Sequence, residues 1–434
     1  MEPHLQRPVE PTPHRRGSVR LARLATSPVT SRVVVFAGAD MLTIALGGIV
    51  TLLLARSLST VQYGSYSFAT SALAFAAMFF EFGLFLPTAR RLAQGRGQPR
   101  EVVAAATAAY LPVGLAFAVL VFALSFGVDG WFHVNAGAAL RLVAPLACVY
   151  PYEFVALLLA QGLDRIRLYS LTRTAARAAA VALLGGLLLT DHRLSVALAL
   201  AVESGALLLA WAAYSFRLRP AYHNLAPHVR GFVREARQYG LQVYVGRVLS
   251  TGTYNMDTLM VAAFTNARSV GFYALANAIA YPAALPGAGL AAALFPRMAR
   301  EPRLDQSWLL GAGLLSLAAA GVACALVRPL MSLVVGAAYL PVAGLLPPLA
   351  LAASVRSVTS IYNGFLAAHA RGPELRNAAL VLTCSNLLLN VALIPMFGAI
   401  GAAWASLAAL LCNLAAHVAS YRRVVRLLSS EALP

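Results

Sequence analysis

Long apolar stretches alternate with polar gaps along this 434-residue chain, and the arginines favour every second gap. All 34 basic residues are Arg. Six lie near the N-terminus: Arg7, Arg15, Arg16, Arg20, Arg23 and Arg32. The first gap then holds Arg56 alone, and the next holds Arg90, Arg91, Arg96 and Arg100. Followed to the C-terminus, this alternation puts 27 arginines on one side and five on the other (Arg56, Arg141, Arg193, Arg268, Arg328), with Arg247 and Arg356 inside apolar spans. Loops rich in Arg stay in the cytosol. The pattern specifies a polytopic membrane protein with an even number of spans and both termini cytosolic.

Composition agrees. The chain is 60% hydrophobic and 12% charged, about half the charged fraction of a soluble domain. A net charge of +18 would suggest nucleic acid in a soluble protein. Here it reads as a topology signal and a surface for anionic headgroups, so no nucleic-acid partner is expected. Cys148, Cys324, Cys384 and Cys412 lie within apolar spans without metal-ligand spacing, and no metal or cofactor is expected.

A spanning helix needs about 20 apolar residues. Twelve such spans are predicted: 33–55, 66–88, 102–126, 138–161, 170–190, 194–215, 238–264, 270–294, 308–327, 342–368, 375–396 and 399–421. Lipid offers no partner to free backbone groups, so they must be helices. The fold class expected is all-α, with about twelve transmembrane helices in two six-helix lobes around a central cavity. Residues 1–32, rich in Pro and Arg, form a disordered cytosolic tail; 33–215 and 238–421 are the two lobes. Residues 422–434 are a second tail. The linker 216–237 reads equally as solvated or as a short amphipathic helix, with Arg230, Arg234 and Arg237 at helical spacing.

The halves repeat. Gly64-Ser-Tyr66-Ser-Phe-Ala69 and Gly271-Phe-Tyr273-Ala-Leu-Ala276 share Gly-x-Tyr-x-x-Ala, and Leu159-Ala160 and Leu366-Ala367 recur at the same offset. Six spans per half give both the same orientation, a parallel repeat suited to lobes that rock about a midplane site.

Five ordered motifs then resemble one family. Ala55-Arg56-Ser-Leu58 with Tyr63-Gly64-Ser-Tyr66 is similar to the signature after span one of polysaccharide and oligosaccharide flippases. Glu81-Phe-Gly83-Leu84 resembles their Asp-Leu-Gly-Leu, with Glu for Asp. Asp257-Thr-Leu-Met with Val270-Gly-Phe-Tyr273-Ala, the stretch Leu294-Phe295-Pro296-Arg297-Met298-Ala299-Arg300, and Asn390 through Pro395, Gly398 and Gly401-Ala402-Ala403 complete the resemblance. It covers residues 33–421 and points to the Wzx-type branch of the multidrug/oligosaccharidyl-lipid/polysaccharide exporter superfamily. The resemblance implies a non-enzymatic flippase in the bacterial cytoplasmic membrane. Its substrate would be an oligosaccharide on polyprenyl diphosphate, moved to the external leaflet for O-antigen, capsule or exopolysaccharide assembly. Membrane lipids, glycosyltransferases and a polysaccharide polymerase would be its partners.

Charges at bilayer depth are costly and mark function or pairing. Arg247 and Arg356 either receive the diphosphate, which an Arg fork suits, or latch onto acids of the opposite lobe. Asp40, Glu81, Glu153, Glu203 and Asp257 are candidates for coupling to a proton or sodium gradient, or else helix–helix contacts. The N-terminal half reads as having four deep acids and no deep base. Asn277 and Asn363 are candidates for sugar hydroxyls; Asn386, Asn390 and Asn413 read as interhelical bonds. Pro282 and Pro286 in span eight, and Pro347 and Pro348 in span ten, are expected to interrupt their helices as hinges or static kinks. Two other readings compete: a cation-coupled drug exporter, and a membrane glycan ligase or polymerase. The short external gaps, nearly free of acids, disfavour the second.

Overall fold

The computed structural model describes residues 28–80, 83–95, 97–190, 194–223, 225–237, 244 and 255–431. The expected N-terminal tail therefore lies, up to residue 27, outside the described residues. The N-terminal lobe contains α1 (Pro28–Ser57), α2 (Thr60–Phe79), α3 (Leu86–Ala93), α4 (Pro99–Leu124), α5 (Val128–Phe132), α6 (Gly137–Ala147), α7 (Val149–Gly162), α8 (Ile166–Leu189) and α9 (Val196–Arg217). Next come α10 (Leu225–Glu235) and a helix over 255–264, α11. The C-terminal lobe continues with α12 (Ala267–Ala280), α13 (Leu285–Met298), α14 (Gln306–Leu330), α15 (Val342–Ala368), α16 (Gly372–Phe397) and α17 (Ala399–Glu431).

Ten helical stretches among the described residues are long and apolar enough to cross a membrane. α2, with 20 residues, also reaches about 30 Å, but its first half carries Thr60, Gln62, Tyr63, Ser65, Tyr66 and Ser67. α11 is the described end of the seventh expected span. No strand occurs among the described residues.

Two boundaries and one expected interruption differ from the sequence reading. Span two was expected to run to 88, but α2 stops at Phe79 and the chain turns through Gly83, whose φ of 64° suits glycine. Pro347 and Pro348 do not interrupt α15. They fall in its second turn, where only the carbonyls of Ala343 and Gly344 lose helical partners. Span eight is interrupted, by a 3₁₀ turn over Tyr281–Ala284. The segment read as a C-terminal tail continues α17 to Glu431. Tyr421 accepts the Leu304 N–H at 3.0 Å, and Val424 is fully buried beside it.

Local chemistry sets the helix starts. Ser59 and Gln62 form a reciprocal capping box at the head of α2. Ser195 and Asn266 cap α9 and α12. Asp305 caps α14 by accepting the Ser307 N–H, which holds its carboxyl below the usual carboxylate range. Replacing Ser59 by Ala is expected to cost about 1 kcal/mol, visible as a lower melting temperature in detergent. An unchanged melt would show that the box contributes nothing.

Within lipid, helices associate by close packing over small residues. A Cβ on Gly287 would lie 1.8 Å from the Ser357 carbonyl oxygen, and Gly287 donates its N–H to Ser357 Oγ at 2.7 Å. The repeat glycines join the lobes. A Cβ on Gly64 would lie 1.6 Å from the Ala267 carbonyl oxygen, and one on Gly271 would lie 3.1 Å from the Gly64 nitrogen. Around this contact Tyr63 stacks on Tyr66 and meets Tyr339 edge-on, Tyr339 meets Phe272, and Arg56 donates to the Val334 carbonyl at 2.8 Å. The lobes are thus sealed together at the end carrying the few-arginine gaps. At the opposite end α7 and α15 close with the same turn: Arg165 N–H donates to Ala160, and Arg371 N–H to Leu366, with Asp164 and Ala370 left-handed.

Candidate functional site

Below the seal lies a cavity of about 580 Å³ walled by α1, α2, α7, α8 and α9 of one lobe and by Ala274, Ala278, Tyr281 and Pro282 of the other. Its charged wall is built by α8. Arg173 and Arg177 are one helical turn apart, so their side chains share a face. Arg177 Nη1 pairs with Glu203 Oε1 at 2.8 Å, and Tyr66 donates its hydroxyl to Glu203 Oε2 at 2.5 Å. Arg173 bridges two helices, 3.2 Å from Asp40 on α1 and 3.7 Å from Glu153 on α7. The Glu203 side chain is 6% exposed, whereas that of Arg177 is 36% exposed. One end of that pair is buried and the other faces the cavity.

This arrangement corrects the sequence reading. The alternation of arginines assigns Arg173 and Arg177 to a cytosolic gap and leaves the N-terminal half with no deep base. Both arginines lie inside α8. Asp40, Glu153 and Glu203 pair with these bases of their own lobe. The available signal was the i, i+4 spacing of two arginines facing three acids in a span where charge is costly.

The other lobe has a different cluster. Asp257 is buried and accepts from Tyr273 (3.0 Å), Ser406 (2.7 Å) and Asn390 Nδ2 (2.7 Å). Asn390 also donates to Asn386 Oδ1 at 3.1 Å, and its own Oδ1 is buried with no hydrogen-bond partner among the described residues. Asp257 is thus the centre of a polar cluster. Tyr66 and Tyr273, equivalent in the repeat, each donate to a buried carboxylate. No group of three His, Cys, Asp or Glu able to hold a metal occurs among the described residues.

Asn277 lines a cavity of about 300 Å³ together with Asp257, Tyr281 and Arg356. Asn363 lines another of about 440 Å³ with Arg356 and His417, and lies 3.4 Å from His417 Nε2. Arg356 thus borders both, and its guanidinium sits 5.8 Å from the Tyr281 ring centre, within cation–π range. Tyr281 in turn walls the central cavity. The structure therefore brings Arg356, Asn277 and Asp257 together, and Asp40, Glu153 and Glu203 together. Glu81 and Arg247 lie outside the described residues. Asn413 donates to the Ala378 carbonyl at 2.8 Å, an interhelical bond.

Comparison with known proteins fits this architecture. Residues 29–301 match the family described as "Polysaccharide biosynthesis protein". The fold is similar to that of the lipid II flippase MurJ in an inward closed conformation, with a TM-score of 0.71 at 15% identity over 90% of this chain and 87% of that one. An inward-facing multidrug-resistance MATE transporter gives 0.64 at 13% identity, over 92% of this chain and 100% of that one. The outward-facing form of a MATE transporter gives 0.60 at 13% identity, over 94% and 98%. No curated protein sequence matches the chain. The chain is a multi-pass membrane protein that belongs to the polysaccharide biosynthesis protein family and has the MurJ- and MATE-like transporter fold.

Proposed function

We propose that this protein flips an oligosaccharide linked to polyprenyl diphosphate from the cytosolic to the external leaflet of a bacterial cytoplasmic membrane, by rocking its two lobes around the central cavity. One observation carries the reading: Arg173 and Arg177 stand on the wall of a cavity sealed at the end with few arginines. A diphosphate brings several anionic oxygens, and an Arg fork binds such oxygens bidentately. Without substrate, the carboxylates of Asp40, Glu153 and Glu203 keep the guanidiniums paired, so no bare charge is left in a dry site. Arriving phosphate oxygens replace those carboxylates as partners. Arg356, stacked on Tyr281, supplies a third guanidinium from the other lobe, and Asn277 and Asn363 offer amides to sugar hydroxyls. Family membership and the lipid II flippase fold support a lipid-linked glycan as cargo.

Coupling to a cation gradient is assigned to Asp257. Its carboxylate and the amide oxygens of Asn386 and Asn390 form an oxygen-rich set, and oxygen ligands suit hard cations. Asp257→Asn keeps an acceptor for Tyr273 and Ser406 but removes the charge. It is expected to fold and to lose the stimulation of flipping by an imposed proton or sodium gradient. Retained stimulation in vesicles would move the coupling elsewhere.

A second reading, a cation-coupled multidrug exporter, has its own observation. Two carboxylates, Glu153 and Glu203, share the cavity's N-terminal wall with two arginines, and a cationic drug would seek the carboxylates. The test is transport by purified protein in proteoliposomes, offered a fluorescent glycan on polyprenyl diphosphate or a cationic dye. Movement of the glycan lipid alone supports flipping, and movement of the dye alone supports export.

A further inference from the structure

The segment between the lobes is a docked helix with two unlike faces. One face of α10 is consumed by the N-terminal lobe. Phe232 is fully buried, and Arg91 of α3 stacks over it at 5.4 Å. Arg91 also donates twice to Glu235 Oε1, at 2.9 and 2.6 Å. His228 meets Glu101 at 3.3 Å. Just before the helix, Arg100 and the 219–221 backbone exchange hydrogen bonds at 2.8 and 3.0 Å. The solvated-linker alternative is replaced by a helix fastened at several points.

The opposite face is a shallow basin of about 490 Å³ formed by Val229, Arg230, Val233, Arg234 and Arg237. All three arginines are exposed. The helix turns its one acid inward to Arg91. At the α13–α14 turn, by contrast, Arg297 is neutralised: it binds Glu301 at 2.6 Å and stacks on Trp308. Three guanidinium forks around two valines present donors for phosphate oxygens and an apolar floor for glycerol and the first methylenes.

We propose that this outer face of α10 docks anionic phospholipids of the surrounding bilayer. It rests on the cytosolic placement of the linker set out above, and not on any identity of the transported cargo. Arginines near an anionic leaflet each add attraction that falls off within a Debye length, and a helix with such faces lies in the interfacial plane. A bound lipid layer would hold the N-terminal lobe's linker at headgroup level while the C-terminal lobe moves.

The test uses the full chain with its four native cysteines replaced and a fluorophore on Val233→Cys. It is reconstituted in phosphatidylcholine vesicles carrying a small fraction of headgroup-nitroxide phosphatidylglycerol or, separately, nitroxide phosphatidylcholine. Labelled phosphatidylglycerol is expected to quench several-fold more than labelled phosphatidylcholine at equal fraction. The excess should vanish in the triple variant Arg230→Gln/Arg234→Gln/Arg237→Gln and largely persist in the corresponding triple Lys variant. Changing Arg297, Arg300 and Arg303 to Gln should leave it intact. The triple Gln variant leaves Arg91, Phe232 and Glu235 in place, and its melt reports whether α10 remains docked. Equal quenching by both lipids, or an excess indifferent to the triple change, would overturn the proposal. So would an excess that appears only when a polyprenyl-diphosphate lipid is added, which would assign the basin to cargo instead.

Discussion

Replacing Gly64 by alanine is expected to abolish flipping by opening the sealed end of the cavity. The added Cβ would lie 1.6 Å from the Ala267 carbonyl oxygen and 2.5 Å from its carbon. Both are backbone atoms at the head of α12, so no side chain can swing aside. Relief requires α2 and α12 to separate, which also loosens the Tyr63–Tyr339 and Phe272–Tyr339 contacts. Each 1.4 kcal/mol lost by the closed arrangement shifts its population about tenfold, so a backbone clash of this size should leave little of it. A Thr70→Cys reporter on the cavity wall, in a background without native cysteines, should react with an impermeant thiol reagent added at the sealed end. The native chain should protect it whenever the seal holds. Gly185 has open space around it, so Gly185→Ala should flip at the native rate. Full flipping by Gly64→Ala would show that the contact is not a gate.

The second large effect is expected at Arg177. Removing its guanidinium leaves Glu203 buried, with the Tyr66 hydroxyl still donating to it. Breaking one half of a buried pair costs about 3–5 kcal/mol, so Arg177→Ala should melt lower and express poorly. Arg177→Ala combined with Glu203→Gln removes both charges and leaves an amide oxygen for the Tyr66 hydroxyl. The double variant should regain most of the native melting temperature and still fail to flip. Restored flipping would reduce the pair to a structural strut.

These two sites show what the sequence made legible. The spans were readable because each needs about 20 apolar residues and lipid forbids other spanning structures. Their ends were less so. The stop of α2 depends on one left-handed residue, Gly83, inside a run that stays apolar. The continuation of α17 depends on docking Tyr421 and Val424 against a distant turn. Acids at depth stood out because they are costly there. Arg173 and Arg177 did not, because a rule that assigns arginines to cytosolic loops absorbed them near the start of α8. The Gly-x-Tyr-x-x-Ala repeat was visible, but not that its two copies touch across the lobes, which is a property of the assembled pair. The asymmetry between an ion-paired Glu203 and an amide-held Asp257 arises from long-range partners that no local pattern encodes.

The central claim is that the arginines of the cavity receive a lipid-borne diphosphate. Translocation of a fluorescent polyprenyl-diphosphate oligosaccharide should be followed in proteoliposomes holding the native chain or the Arg177→Ala/Glu203→Gln variant. Rapid flipping by the native protein is expected, with a loss of at least about tenfold in the folded variant, the size expected when about 1.4 kcal/mol of anion binding is removed. Equal flipping by both, with matched melting temperatures and reconstitution, would contradict it.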